Sequence, residues 1–293
     1  MLRSQKVNLK WEAEFSNDLA RKDEYPQRRY YIPYNYWITR FPISNDQFSE
    51  YEVTTGHTDS LPKDWKRRLG QPVVNVSWHE VVEYTKWLNI IFKKEIPDGL
   101  VFRLPTEAEW ERASRGEDGA EFPWGNANLD EFLNGGSPEL MARLMRKIEL
   151  DEGKSSNNFA EFNASFSRKN SSGIENDSEK AALDWMKMKL AELRTSMELA
   201  DVGIFSPVTD STHDIADMMG AVWEWTQSLY KLYPYETNDG RENLEASGER
   251  VIRGYFSPNN ERFTVRSAKR VCAPPDVKGK YLDFRIVIAP PVS

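Results

Sequence analysis

Residues 103–111 read RLPTEAEWE and residues 222–226 read VWEWT. In the first stretch Pro105 precedes a threonine able to cap a helix. Glu109 stands three residues after Thr106, which is the spacing of a capping box. A helix over Thr106–Ser114 follows, with Trp110 four residues beyond the cap and able to face a core. Arg103, just upstream, is expected to meet a buried acid or a backbone carbonyl. In the second stretch, strand alternation sets Trp223 and Trp225 on one face and Glu224 on the other. A buried glutamate on a strand is costly unless it is paired or ligates a cation.

Working outward, the same signals recur. Ser44–Thr55 reads as a helix capped by Ser44, with Phe48 and Tyr51 inward. Ser77–Lys94 reads as a longer one capped by Ser77, with Glu80 in the box position. Its buried stripe is Val81, Tyr84, Trp87, Leu88 and Ile91. Tyr30–Thr39 reads as a strand broken at Pro33. Arg250–Ile252 and Phe284–Ile288 read as core strands. The mixture is α+β. Ten Trp, twelve Tyr and fourteen Phe among 293 residues suit an irregular, loop-rich fold that packs large rings between loops.

The texture divides the chain. Residues 1–24 form an N-terminal extension, 25–136 the first part of one domain, 137–200 an insert and 201–293 the second part. Within the insert, Pro138–Leu150 is helical by its i, i+3, i+4 apolar spacing. A Ser- and Asn-rich stretch runs over 154–176. A second helix starts at Asp177 or Ser178, with Leu183, Met186, Leu190, Leu193 and Met197 alternating three and four apart. The two helices read either as a hairpin whose stripes cover each other or as a docking element for a partner.

Composition removes several classes. No stretch approaches the ~20 apolar residues of a membrane helix. The first residues carry no apolar core of a secretory signal. One cysteine, Cys272, leaves no disulfide framework and no Cys-based zinc site. These features point to the cytoplasm. A net charge of −7 argues against a nucleic-acid binder, whose affinity rests on neutralising phosphates.

Taken in order, FPISNDQFSEYEVTTGH (41–57), QPVVNVSWHEVVEYTKWLN (71–89), FRLPTEAEWERASRG (102–116), FPWGN (122–126), DMMGAVWEWTQSLY (217–230), RVIRG (250–254), RSAKR (266–270) and DFRIV (283–287) resemble the formylglycine-generating enzyme, or sulfatase-modifying factor, superfamily. The resemblance implies a C-type-lectin-like fold with little regular secondary structure, here carrying an inserted helical hairpin. It also implies a calcium site. In such proteins calcium is held by an Asn or Asp side chain, two carbonyls and a Glu, read from N-x-x-G-N-x-W-E-W. Here Asp217 and Glu224 would give carboxylates, and Gly220 and Val222 carbonyls. Oxygen ligation suits a hard cation. The alternative is that Asp217 caps a turn and Glu224 pairs with an arginine.

The superfamily's oxidase binds copper through two cysteines after its RVxxGG segment. The matching stretch, 250–270, has none, and Asn259 and Thr264 stand near those positions. Asn and Thr cannot replace soft thiolates, so no copper is expected. Cys272 has no second thiol and reads as a small semi-buried hydrophobe. An iron-binding branch uses three histidines; His57, His79 and His213 show no i, i+4 pairing. No catalytic residue is assigned.

The C-terminal block also resembles the variable proteins of diversity-generating retroelements and relatives in bacterial conflict systems. Their pattern runs RVLRGGSW, a variable stretch, RSAxR, a second variable stretch, then GFR. Here Tyr255 and Phe256 replace GS-type residues, and Asp283 replaces the Gly. The resemblance implies that 255–265 and 271–283 form a surface for protein ligands. Its candidate contacts are Tyr255, Phe256, Asn259, Asn260, Arg262, Phe263, Lys269, Lys278, Lys280 and Tyr281. Residues 250–285 carry nine Lys/Arg against three Asp/Glu. Arg253, Arg266, Arg270 and Arg285 read as scaffold arginines, which leaves Arg262, Lys269, Lys278 and Lys280 as an exposed basic patch. The expectation is a non-catalytic binding or scaffold protein with a second contact on the 177–200 helix; the alternative is a divergent metal-dependent oxidoreductase.

Overall fold

Three helices begin with one device. In each, a Ser or Thr accepts the amide of the third helical residue, whose Gln or Glu side chain returns to the cap's own N–H. Ser44 and Gln47 start α1 (Asn45–Thr55), Ser77 and Glu80 start α2 (Trp78–Ile91), and Thr106 and Glu109 start α3 (Glu107–Arg115). α1 ends on Gly56 in the left-handed region, where a glycine carries no steric cost. α2 stops at Ile91, short of the expected Lys94, and Ile91 is 49% exposed instead of buried.

The computed structural model describes residues 30–56, 63–126, 199–219, 222–254 without 237, and 266–292, together with 24, 61, 184, 187 and 188. Residues 184, 187 and 188 are helical; the rest of the expected hairpin lies outside the described residues. Among the described residues no helix is long and apolar enough to cross a membrane.

The strands are short: β1 (Trp37–Ile38), β2 (Val101–Arg103), β3 (Trp223–Leu229), β4 (Arg250–Gly254), β5 (Val271–Ala273), β6 (Leu282–Phe284) and β7 (Val287–Ala289). They form a three-stranded sheet in the order β1-β7-β2 and a four-stranded sheet in the order β5-β4-β3-β6. All pairs are antiparallel except β3 with β6. The strand expected over Tyr30–Thr39 is reduced to Trp37–Ile38. Pro33 offers no ladder donor, and the Tyr36 hydroxyl donates to the Glu109 carbonyl instead.

The strand expected over Phe284–Ile288 is two strands. β6 belongs to one sheet and β7 to the other, and Arg285 and Ile286 make the crossing. Side chains 282 and 284 face the main core, as do Trp225 and Ile252, where Phe48, Tyr51, Tyr84 and Leu88 from α1 and α2 meet them. Trp223 sits at that core's margin, half-buried. The opposite face of β3 lies against α3, where Trp110, Ala113, Ile215 and Met218 make a smaller apolar cluster.

Candidate functional site

The opposite face of the four-stranded sheet presents a row of charged side chains. Register places Arg253 of β4, Glu224 of β3 and Asp283 of β6 side by side on one rung of neighbouring strands, and all three are wholly buried. The Glu224 carboxylate is clasped by Arg285, whose Nε donates to Oε2 at 2.6 Å and whose Nη2 donates to Oε1 at 2.6 Å. The Trp110 indole N–H also donates to Oε2 at 2.6 Å. Arg285 spends its remaining donors on the carbonyls of Thr39, Arg40 and Ala216. One side chain thus fastens the sheet crossing, the end of β1 and the loop before β3. Of the two readings open for Glu224, the arginine partner is present.

Asp217 holds a left-handed backbone (φ 57°) and accepts the Gly203 amide at 2.5 Å. Burial pushes its carboxyl up to about 6; Asp210 and Glu224 add to the rise, against the Gly203 N–H and Arg285. Val222 is buried, and an added Cβ on Gly254 would stand 3.0 Å from the Val222 carbonyl. With φ at 96°, Gly254 is thus fixed twice over. Gly220 lies outside the described residues. An ionised carboxylate has about four lone-pair sites. Glu224 accepts three donors, so one site on Oε1 remains. Asp217, Glu224 and Asp283 share the neighbourhood with Arg285, which is hydrogen-bonded to Glu224, and with Arg253, which lies opposite Glu224 in register. The Asp217 and Glu224 carboxylates and the Val222 carbonyl are oxygen donors, the type that a hard cation takes. Among the described residues no group of three or more His, Cys, Asp or Glu is placed to hold a metal.

Arg253, Arg266 and Arg270, the other expected scaffold arginines, are internal. Arg270 forks onto Glu107 at 2.7 and 2.6 Å and lies over the rings of Tyr230 and Tyr233. Arg266 pairs with Glu24. Arg253 pairs with Glu111 at 2.5 Å and approaches Glu107 at 3.4 Å. Its guanidinium also donates to the carbonyls of Ser267 and Ala268, beyond the 255–265 stretch that it precedes. The two ends of that stretch are therefore tied by one buried side chain.

The expected basic patch is corrected at one position. Lys269 is 4% exposed and lies over the Trp223 ring at 5.5 Å, because its aliphatic stem is long enough to reach the sheet margin. Lys278 ion-pairs at 2.5 Å with Glu80, the box residue of α2. Lys280 is exposed and lies 4.6 Å from the ring of half-buried Tyr281. The 274–281 segment is held at its base by Trp78 N–H on the Pro275 carbonyl and Asn75 N–H on the Gly279 carbonyl. Tyr255, Phe256, Asn259, Asn260, Arg262 and Phe263 lie outside the described residues, as does His57. His79 faces Asp276 at 3.5 Å and His213 contacts Arg112, so these two share no centre.

Sequence reasoning did not single out Glu107, Glu111 or Glu242. The first two follow from helical period: with Trp110 they form the α3 face turned toward β4. Glu242 carries no local signal.

A family model described as the sulfatase-modifying factor enzyme 1-like domain matches residues 9–290. The uncharacterized protein YfmG of Bacillus subtilis is 24% identical over 228 residues, 72% of this chain and 37% of YfmG. The formylglycine-generating enzyme of Thermomonospora curvata is 47% identical over 60 residues, 20% of this chain and 16% of that enzyme. The chain thus aligns with well under half the length of these relatives. PvdO from Pseudomonas aeruginosa has a similar fold, with TM-score 0.56 at 20% identity over 91% of this chain and 85% of PvdO.

Proposed function

The chain belongs to the sulfatase-modifying factor enzyme 1-like family, and from that premise we propose that it is a non-catalytic binding or scaffold protein. It presents 255–265 and, of the expected 271–283, the 274–281 segment to a protein ligand, because 271–273 and 282–283 are strand residues of the buried sheet; the 177–200 helix is a second contact. The observation that carries this reading is the way both segments are mounted. Arg253 ties the ends of the first, and Asn75, Trp78 and Glu80 pin the second. Loops carried on a rigid base are where recognition concentrates. The chemistry points the same way. Residues 250–270 contain no cysteine, and copper(I) requires soft ligands.

A structural calcium at Asp217, Gly220, Val222 and Glu224 belongs to the same reading. It would sit beside the Arg285–Glu224 pair and be held by oxygen ligands alone. Metal analysis of chelator-free protein should return about one calcium per chain and no copper. Stoichiometric copper or iron would overturn the non-catalytic reading.

The direct test compares affinity capture by the chain with capture by a variant carrying Tyr255→Ala, Phe263→Ala, Lys280→Glu and Tyr281→Ala. The expected result is loss of the bound protein with melting unchanged. Retention of the same partner by the variant would overturn the assignment of the surface.

A further inference from the structure

Five glutamates enter the interior around β3 and α3, and four of them meet an arginine. Glu109 is forked by Arg103 at 2.7 Å on both oxygens, Glu107 by Arg270, Glu111 is paired with Arg253, and Glu224 is forked by Arg285. Glu242 is the exception. It is 4% exposed, and its Oε1 accepts two hydroxyls, from Ser228 at 2.6 Å and from Tyr235 at 2.5 Å. Its Oε2 is buried with no hydrogen-bond partner.

Among the described residues no nearby arginine hydrogen-bonds the Glu242 carboxylate, although Arg250 acts on it through space. Arg241, the adjacent residue, turns to Asp239 and to the carbonyls of Leu232 and Pro234. Arg103 is held by Glu109. Arg250 spends its Nη groups on the carbonyls of Gln227, Asn243, Leu244 and Ala246. The remaining groups that face Glu242 are Glu107 and Glu109 from α3, Tyr30 from the segment before β1, and Gln227 from β3, whose amide donates to the Glu242 carbonyl.

We propose that Glu242 is a proton-controlled latch, which holds the 230–249 loop on β3 while its carboxyl is neutral and loosens the loop when it ionises. The neutral form leaves the proton on Oε2, the oxygen without a partner, and keeps Oε1 for Ser228 and Tyr235. Ionisation instead buries a charge beside Glu107 and Glu109 with no guanidinium hydrogen-bonded to it, Arg250 acting only through space. Burial first, and then those two carboxylates, push the Glu242 carboxyl up to about 7, against the two hydroxyls. An open loop returns it to the ordinary glutamate range near ~4.3. Between those two values the closed form binds the proton more tightly than the open form. Closure is therefore strongest at low pH and is lost as pH rises toward 7.

Hydrogen exchange of the full chain, expressed as protection relative to the intrinsic rate at each pH, reads this directly. Protection across 229–249 is expected to fall by about tenfold per pH unit between roughly pH 5 and 7, the slope for one proton. Amides of α2 should not follow. In Glu242→Gln, protection should stay high and flat across the range. A flat wild type, or a variant with the wild-type slope, overturns the latch. If Glu242→Gln does not fold, Tyr235→Phe keeps the carboxyl but removes one donor to its ionised form. The pH at which protection stops falling should then move to higher pH, and an unmoved upper limit also overturns the latch.

Discussion

Arg285–Glu224 and Lys278–Glu80 are the same chemistry in two settings. Both join a cation from the C-terminal block to a glutamate from the body of the domain. The first pair is wholly buried, with every donor of Arg285 placed on a carboxylate oxygen or a carbonyl. The second is about one-third exposed on each side. Removing one member of the first leaves a charge with no water to turn to. Removing one member of the second leaves a charge that water can reach. The interior pair is thus fixed by the fold, whereas the Lys278–Glu80 pair is free to change. The proposed binding role requires that division.

The strongest way to sharpen the contrast is Arg285→Ala. It strands Glu224 and frees the carbonyls of Thr39, Arg40 and Ala216 at once. Breaking a buried pair from one side costs about 3–5 kcal/mol, so denaturant unfolding should show a loss of that order, if the variant folds at all. A loss below about 1 kcal/mol, the range of exposed pairs, would mean that the buried pair behaves as a surface one. Trp110→Phe is the milder probe. It keeps most of the ring in the cluster with Ala113, Ile215 and Met218 and removes one donor from Glu224. A loss of about 1–3 kcal/mol is expected, since a charged acceptor loses one of three buried donors.

These two settings also explain what could be read in advance. The three helix starts were legible to the residue, because a capping box lies within four residues of sequence and needs nothing else. Burial of Glu224 was legible from alternation, but its partner was not. A cation and an arginine satisfy a buried carboxylate equally well, and Arg285 arrives from 61 residues away. Lys269 is not legible as buried because a lysine in RSAKR reads as solvent-facing, while its ammonium lies over the Trp223 ring through tertiary contact. The strand over Phe284–Ile288 was seen as one element, since nothing local announces that Arg285 must leave the ladder to reach Glu224. Glu242 was invisible for a simpler reason. Its hydroxyl partners Ser228 and Tyr235 are ordinary residues in the sequence, and its distinction is the arginine it lacks.

The smallest effect tests the other side of the contrast. Glu80 has two duties: its carboxylate accepts the Ser77 amide and hydroxyl, and it receives the Lys278 ammonium on its other oxygen. Truncating Lys278 to Ala should remove about 0.2–1 kcal/mol, as for exposed pairs in general. Glu80→Gln retains an oxygen for the cap but loses the charge. In a double-mutant cycle of the two, the coupling energy should fall in that same small range and shrink further in high salt, where screening weakens exposed charges. The measurement is denaturant unfolding of four proteins at two salt concentrations. A coupling of several kcal/mol, insensitive to salt, would show that the 274–281 segment is bound to α2 as firmly as Arg285 binds Glu224. The segment would then be part of the fixed frame, and the proposed ligand surface would contract to the stretch tied off by Arg253.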